Sequence, residues 1–151
     1  MSELKQLQTL HESVKSVFTW QSDLQTFGKI DHWQDFAKEV REGTQVKRDC
    51  DDFALTCALI GIEDFGLPAS NWIIARVHSG SAPMDRQFDH AIALYSSPGI
   101  GYRIVLDNIQ PSPIRAGLLN YQWYDWCRVG SDFGKFKLFK GGEIWNKQGH
   151  W

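Results

Sequence analysis

The sequence predicts an α+β domain in which helices come first and an antiparallel sheet follows. Three observations carry that expectation. Apolar residues recur at helical spacing from Leu4 to Phe18, and a densely apolar run from Phe53 to Ile60 reads as a further, more buried helix. After Pro68 the texture changes to short β-rich runs separated by Gly, Ser and Pro. A chain of 151 residues suits one domain spanning 1–151, long enough to bury a real core.

In the first helix Leu4, Leu7, Leu10 or His11, Val14, Val17 and Phe18 share a face, with Ser2 as its cap. Phe18-Thr19-Trp20 reads as a short extended piece, and a polar connection runs on through Gly28. Asp31 is placed to cap a second helix with Trp33, Phe36, Ala37 and Val40 on its apolar face and Gly43 at its end. Strands are expected at 72–77, 89–95 and 102–107, then near 121–129 and 135–139, forming a meander. The tail from Gly141 to Trp151 reads as irregular, and the chain shows no repeat, low-complexity tract or linker.

Composition excludes several classes of function. A hydrophobic fraction of 42%, a charged fraction of 23% and a net charge of −2 describe a soluble domain without a field for nucleic acid or anionic membrane. Seven Trp and nine Phe predict an aromatic core. Three cysteines, Cys50, Cys57 and Cys127, suggest no disulfide framework. No apolar run approaches the ~20 residues of a membrane span, and Met1 to Gln6 begin no secretory signal. The expected address is therefore a reducing cytoplasm, with a phage virion as the alternative.

The most informative stretch is Arg48-Asp49-Cys50-Asp51-Asp52-Phe53-Ala54. Three acids in one turn suit the positive end of a helix dipole, which places Cys50 at the N-terminus of a buried helix. Backbone N–H groups there favour a thiolate, as a cysteine nucleophile requires. The competing interpretation of Cys50 is a small buried hydrophobe.

A hairpin supplies possible partners. If Ser96 to Gly101 form its turn, the midpoint lies between Pro98 and Gly99, and position 90 opposes position 107. Opposed residues have Cβ atoms ~5 Å apart on one face. His90 and Asp107 should therefore touch, alongside Ile92, Leu94, Val105 and Arg103. A carboxylate beside an imidazole fixes its tautomer and stabilises the imidazolium. In this scheme His90 takes the Cys50 proton, Asp107 orients His90, and the Cys50 N–H is an oxyanion donor. The ordinary alternative is a cross-strand polar pair.

Asp49-Cys50-Asp51-Asp52-Phe53-Ala54, Asp89-His90-Ala91-Ile92 and Val105-Leu106-Asp107-Asn108 occur in an order and approximate spacing that resembles the bacterial transglutaminase-like cysteine peptidases. The best-known members of that family are periplasmic proteases that release large biofilm adhesins. Asp31-His32-Trp33 resembles the family's Asp-aromatic-Trp segment, so the likeness runs from about Phe18 to about Val129. It implies a papain-like, transglutaminase-like fold, N-terminal helices with the nucleophile helix packed on an antiparallel sheet, and a triad of Cys50, His90 and Asp107. It also implies Ca²⁺ held by Asp49 and Asp51. The chain departs from the secreted members in lacking an export signal and a longer N-terminal region, and in carrying Asp51 where the adhesin proteases have Glu. The adhesin substrate is therefore not carried over.

Elementary electrostatics bears on the metal as well. Carboxylates at Asp49, Asp51 and Asp52 would raise the Cys50 pKa against the helix dipole, and a bound Ca²⁺ would remove that conflict; the alternative is that these acids face solvent or cap the helix. Trp33 and Gln21 are further candidates beside the nucleophile, against core and surface-loop roles respectively. Cys57, two helical turns beyond Cys50, and Cys127 fit the core. His11, His32, His78 and His150 form no metal-ligand spacing. The expected function is a thiol peptidase acting on a protein or peptide through a thioester acyl-enzyme. The alternatives are acyl transfer, as in a transglutaminase or deamidase, and a non-catalytic module retaining the fold, with a virion or regulatory protein as partner. The loops 78–88 and 109–120 are candidates for the cleft walls.

Overall fold

The computed structural model describes residues 1–22, 33–80 and 88–139. Helix α1 (Glu3–Val17) starts where Ser2 accepts the Lys5 N–H, and it buries Leu7, Leu10, His11, Val14 and Val17, the face expected from spacing. The chain then extends through β1 (Phe18–Trp20), which pairs in parallel with β2 (Val46–Arg48). Between them lies α2 (Ala37–Glu42), ended by Gly43 at φ 72°. This second helix is shorter than the sequence predicts. Trp33 and Phe36 precede it, and the expected cap, Asp31, falls outside the described residues.

Two polar side chains on the next helix explain the late start. Helix α3 (Cys50–Glu63) offers Asp52 Oδ1 to the Gln34 N–H at 2.8 Å and Thr56 Oγ1 to the Phe36 N–H at 2.9 Å. Backbone donors at 34 and 36 that would be unmatched in a first helical turn are thus bound by α3 instead. Phe36, its approach fixed by that bond, is fully buried.

Helix α3 is buried over most of its length, as its apolar run requires. It presses on the sheet at Trp72: a Cβ added to Gly61 would lie 2.5 Å from Trp72 Cζ2. The sheet comprises β3 (Trp72–His78), β4 (His90–Ser96), β5 (Arg103–Leu106), β6 (Ile114–Arg115), β7 (Gln122–Arg128) and β8 (Lys137–Leu138). Their spatial order is β6-β5-β4-β3-β7-β8, with every pairing antiparallel. The simple meander expected from sequence therefore fails after β6. The chain crosses back to place β7 on the free side of β3.

Both faces of the central strands are covered. Trp72, Ile74, Ala93, Tyr95, Ile104 and Leu106 face the helices. Ile73, Ala75, Val77, Ile92, Leu94 and Val105 form a second cluster, with Tyr121, Trp123, Trp126 and Phe139 packed against it. Much of the aromatic content is thus core, as composition predicts. The fold class is α+β, N-terminal helices with α3 on an antiparallel sheet. No helix among the described residues is long and apolar enough to cross a membrane.

Candidate active site

Cys50 is the first residue of α3. Asp49 caps the helix, its Oδ1 accepting the Asp52 N–H at 3.2 Å. Strand β2 delivers the chain to this point, and the Gln21 N–H donates to the Arg48 carbonyl at 2.6 Å. Gln21 therefore lies beside the strand that leads into Cys50 rather than in a remote loop. The Cys50 thiol is half-buried; it donates to Asp51 Oδ1 at 3.6 Å, and its sulfur meets the backbone of Ala91. That contact brings the sulfur to the peptide that joins His90 to Ala91.

His90 and Asp107 meet as the sequence predicts, though by a different register. The observed pairs are Ser96 with Arg103, Leu94 with Val105 and Ala93 with Leu106. The connection runs from Ser97 to Tyr102, centred between Gly99 and Ile100, so the true register differs by two residues from the expected one. A shift of one would have sent the two side chains to opposite faces, whereas a shift of two keeps them together. Strand β5 ends at Leu106, and Asp107 follows it. Its Oδ1 lies 2.7 Å from His90 Nε2, and both side chains are buried. Nδ1 is then the ring nitrogen left for a thiol partner.

The Asp107 carboxylate is held from several sides. Oδ1 also accepts the Ile109 N–H at 3.0 Å, and Oδ2 accepts the Tyr121 hydroxyl at 2.6 Å. Burial acts to raise its pKa, but the His90 bond and charge, Tyr121 and the Ile109 N–H outweigh it and hold the carboxyl below the usual range. Helix α1 grips the same corner from behind. His11 Nε2 lies 2.9 Å from the Asp107 carbonyl, and Lys15 Nζ donates to the carbonyls of Asn108 and Gln110 at 3.2 and 3.0 Å. Sequence inspection missed His11, Lys15 and Tyr121. Only the helical spacing of His11 hinted at burial; nothing local announced the other two.

Around the thiol the charges run the other way. Burial pushes Cys50 well above an ordinary thiol, Asp51 and then Asp49 push it further, and only the Ala91 backbone opposes them. Asp52 does not belong with the other two acids: it is buried, bound to the Gln34 N–H and 3.7 Å from Arg48 Nη1. Calcium takes 6–8 oxygens. Asp49 and Asp51 flank Cys50 at the start of α3, but among the described residues no group of three or more His, Cys, Asp or Glu side chains forms a metal site. These two acids do not make a complete cage on their own. Trp33 packs on Phe133 and Phe136, with centroids 5.4 and 6.2 Å away, and Cys57 and Cys127 are buried.

No family model matches the sequence. Nor does any curated protein. Solved structures do match. A structure of Legionella pneumophila LapG superimposes with a TM-score of 0.64 at 17% identity, covering 92% of this chain and 70% of that one. EGTA-treated LapG gives 0.65 at 16% identity, over 97% and 70%, and calcium-bound LapG gives 0.65 at 17%, over 90% and 68%. The chain is thus similar in fold to LapG.

Proposed function

We propose that the chain is a transglutaminase-like cysteine hydrolase, a peptidase, with Cys50 as nucleophile, His90 as general base and acid, and Asp107 as the residue that orients His90. The observation that carries this reading is the buried contact between His90 Nε2 and Asp107 Oδ1, whose neighbouring peptide at Ala91 meets the Cys50 sulfur. With Nε2 donating to a carboxylate, Nδ1 is the basic nitrogen that can accept the thiol proton. The thiolate then attacks a peptide carbonyl, and the first-turn N–H groups of α3, including that of Cys50, are suited to stabilise the oxyanion. Imidazolium returns its proton to the leaving amine, which leaves a thioester on Cys50. Water activated by His90 releases the acid product.

Calcium belongs to the same proposal. LapG has a calcium-bound and an EGTA-treated structure, and Asp49 and Asp51 are the donors this chain offers. When bound, the ion would neutralise the two charges that hold the thiol protonated.

The decisive experiment incubates the protein with a peptide library and follows cleavage and covalent adducts by intact-mass spectrometry. The expected result is cleavage together with a Cys50 acyl adduct, both lost in Cys50→Ala. Adding a primary amine separates hydrolysis from transfer, since a transferase diverts the acyl group to the amine. Absence of cleavage and adduct, with and without calcium, would contradict the reading.

A further inference from the structure

Building on that assignment of Cys50, His90 and Asp107, we propose that Tyr121 is a fourth member of the site, a positioning residue that locks the Asp107 carboxylate with its hydroxyl and braces the His90 ring with its own. Two independent contacts carry this. The Tyr121 hydroxyl donates to Asp107 Oδ2 at 2.6 Å, the oxygen that His90 does not use. The Tyr121 ring meets the His90 ring edge to face, with centroids 5.9 Å apart and planes at 81°.

The topology shows why this contact is unusual. Strands β4 and β7 are not neighbours, because both flank β3: Val77 pairs with His90 on one side and with Trp123 on the other. Tyr121 directly precedes β7 and so reaches past the end of β3 to touch His90 on β4, two strands away, and Asp107 at the end of β5, three strands away. A tyrosine serving only the apolar cluster beneath it would not need its hydroxyl aimed at that carboxylate.

The physical effect follows from the shape of the carboxylate. Rotation about its last bond would swing Oδ1 out of line with His90 Nε2 and break that bond. A donor fixed on Oδ2 and the Ile109 N–H on Oδ1 oppose that rotation from both ends. His90 is thereby kept protonated on Nε2, which leaves Nδ1 as its basic nitrogen. The hydroxyl and the ring do separable work, so two substitutions separate them. Tyr121→Phe removes only the hydroxyl, and Tyr121→Leu removes the ring as well.

The test reads the ¹⁵N signature of the His90 ring near neutral pH, the Cys50 alkylation rate and the melting temperature. In the unaltered protein His90 is expected as the Nε2–H tautomer. Tyr121→Phe should give a mixture of tautomers and slow alkylation by about threefold to tenfold, the size of one hydrogen bond, with melting nearly unchanged. Tyr121→Leu should slow it further. In an Asp107→Asn background, Tyr121→Phe should add no further change at His90, because the partner of the hydroxyl has already been altered. An unchanged His90 signature in Tyr121→Phe, or an equal change in the Asp107→Asn background, would overturn the proposal. A tautomer shift without any change in Cys50 alkylation would support the hold of Tyr121 on His90 and overturn the hydrolase reading alone.

Discussion

Around Asp107 the polar groups converge, with His90, Tyr121 and the Ile109 N–H on its carboxylate and His11 at its carbonyl. Around Cys50 they oppose one another: burial, Asp51 and Asp49 all favour the neutral thiol, and a lone backbone contact favours the thiolate. One corner is built for its charge before any substrate arrives. The other must receive positive charge, from His90 as it is protonated or from a cation on the two acids, before the sulfur can react. The difference teaches that the rigid part of this corner is its acid–imidazole pair, and that its conditional part is the proposed nucleophile, Cys50.

The largest effect expected on this contrast comes from breaking the rigid corner. Asp107→Asn should lower peptide cleavage at least about a hundredfold, the scale of general acid–base catalysis, as read by initial rates on any cleaved library peptide. Gly61→Ala should come next, acting on the scaffold that places Cys50. Its new Cβ would lie 2.5 Å from Trp72 Cζ2, so denaturant melts should show a loss of about 1–3 kcal/mol. Asp51→Asn acts at the conditional corner and in the opposite direction. It removes a charge that raises the thiol pKa, so alkylation without calcium at pH 7 should quicken, by up to about tenfold for each pKa unit recovered.

The smallest effect expected is in the acid dependence of stability. Burial holds His11 below its usual 6.5, so the unfolded chain binds the extra proton first. Stability from this group is present above pH 6.5 and is lost as pH falls from there towards the lowered native value. Asp107, depressed from 3.8, adds stability present above that value and lost as pH falls below it towards its native one. Urea melts across the acid range should show both windows, and His11→Gln should remove the upper one alone.

How much of this was legible in the sequence differs by corner. The Cys50 turn was readable because its signals are local: Asp49 caps, the acids fill the first turn and the apolar run names a buried helix. The His90–Asp107 contact was also predicted, yet with a loop centred one residue too early; the contact survived because a two-residue change of register preserves the face. What could not be read depends on distant chain segments. The start of α2 is set by Asp52 and Thr56 on another helix, and β7 lies beside β3 rather than β5. Tyr121 and His11 reach Asp107 only through that arrangement, so no spacing in the sequence could announce them.

The measurement that tests the central claim most directly is the Cys50 alkylation rate against pH, in the unaltered protein and in His90→Ala, each with and without calcium. The account predicts a reactive thiolate near or below neutral pH in the unaltered protein. In His90→Ala without calcium it predicts a titration above 9.0, as burial and the two acids dictate, partly restored when calcium is added. A thiol that titrates above 9.0 in both proteins, indifferent to His90 and to calcium, would contradict it.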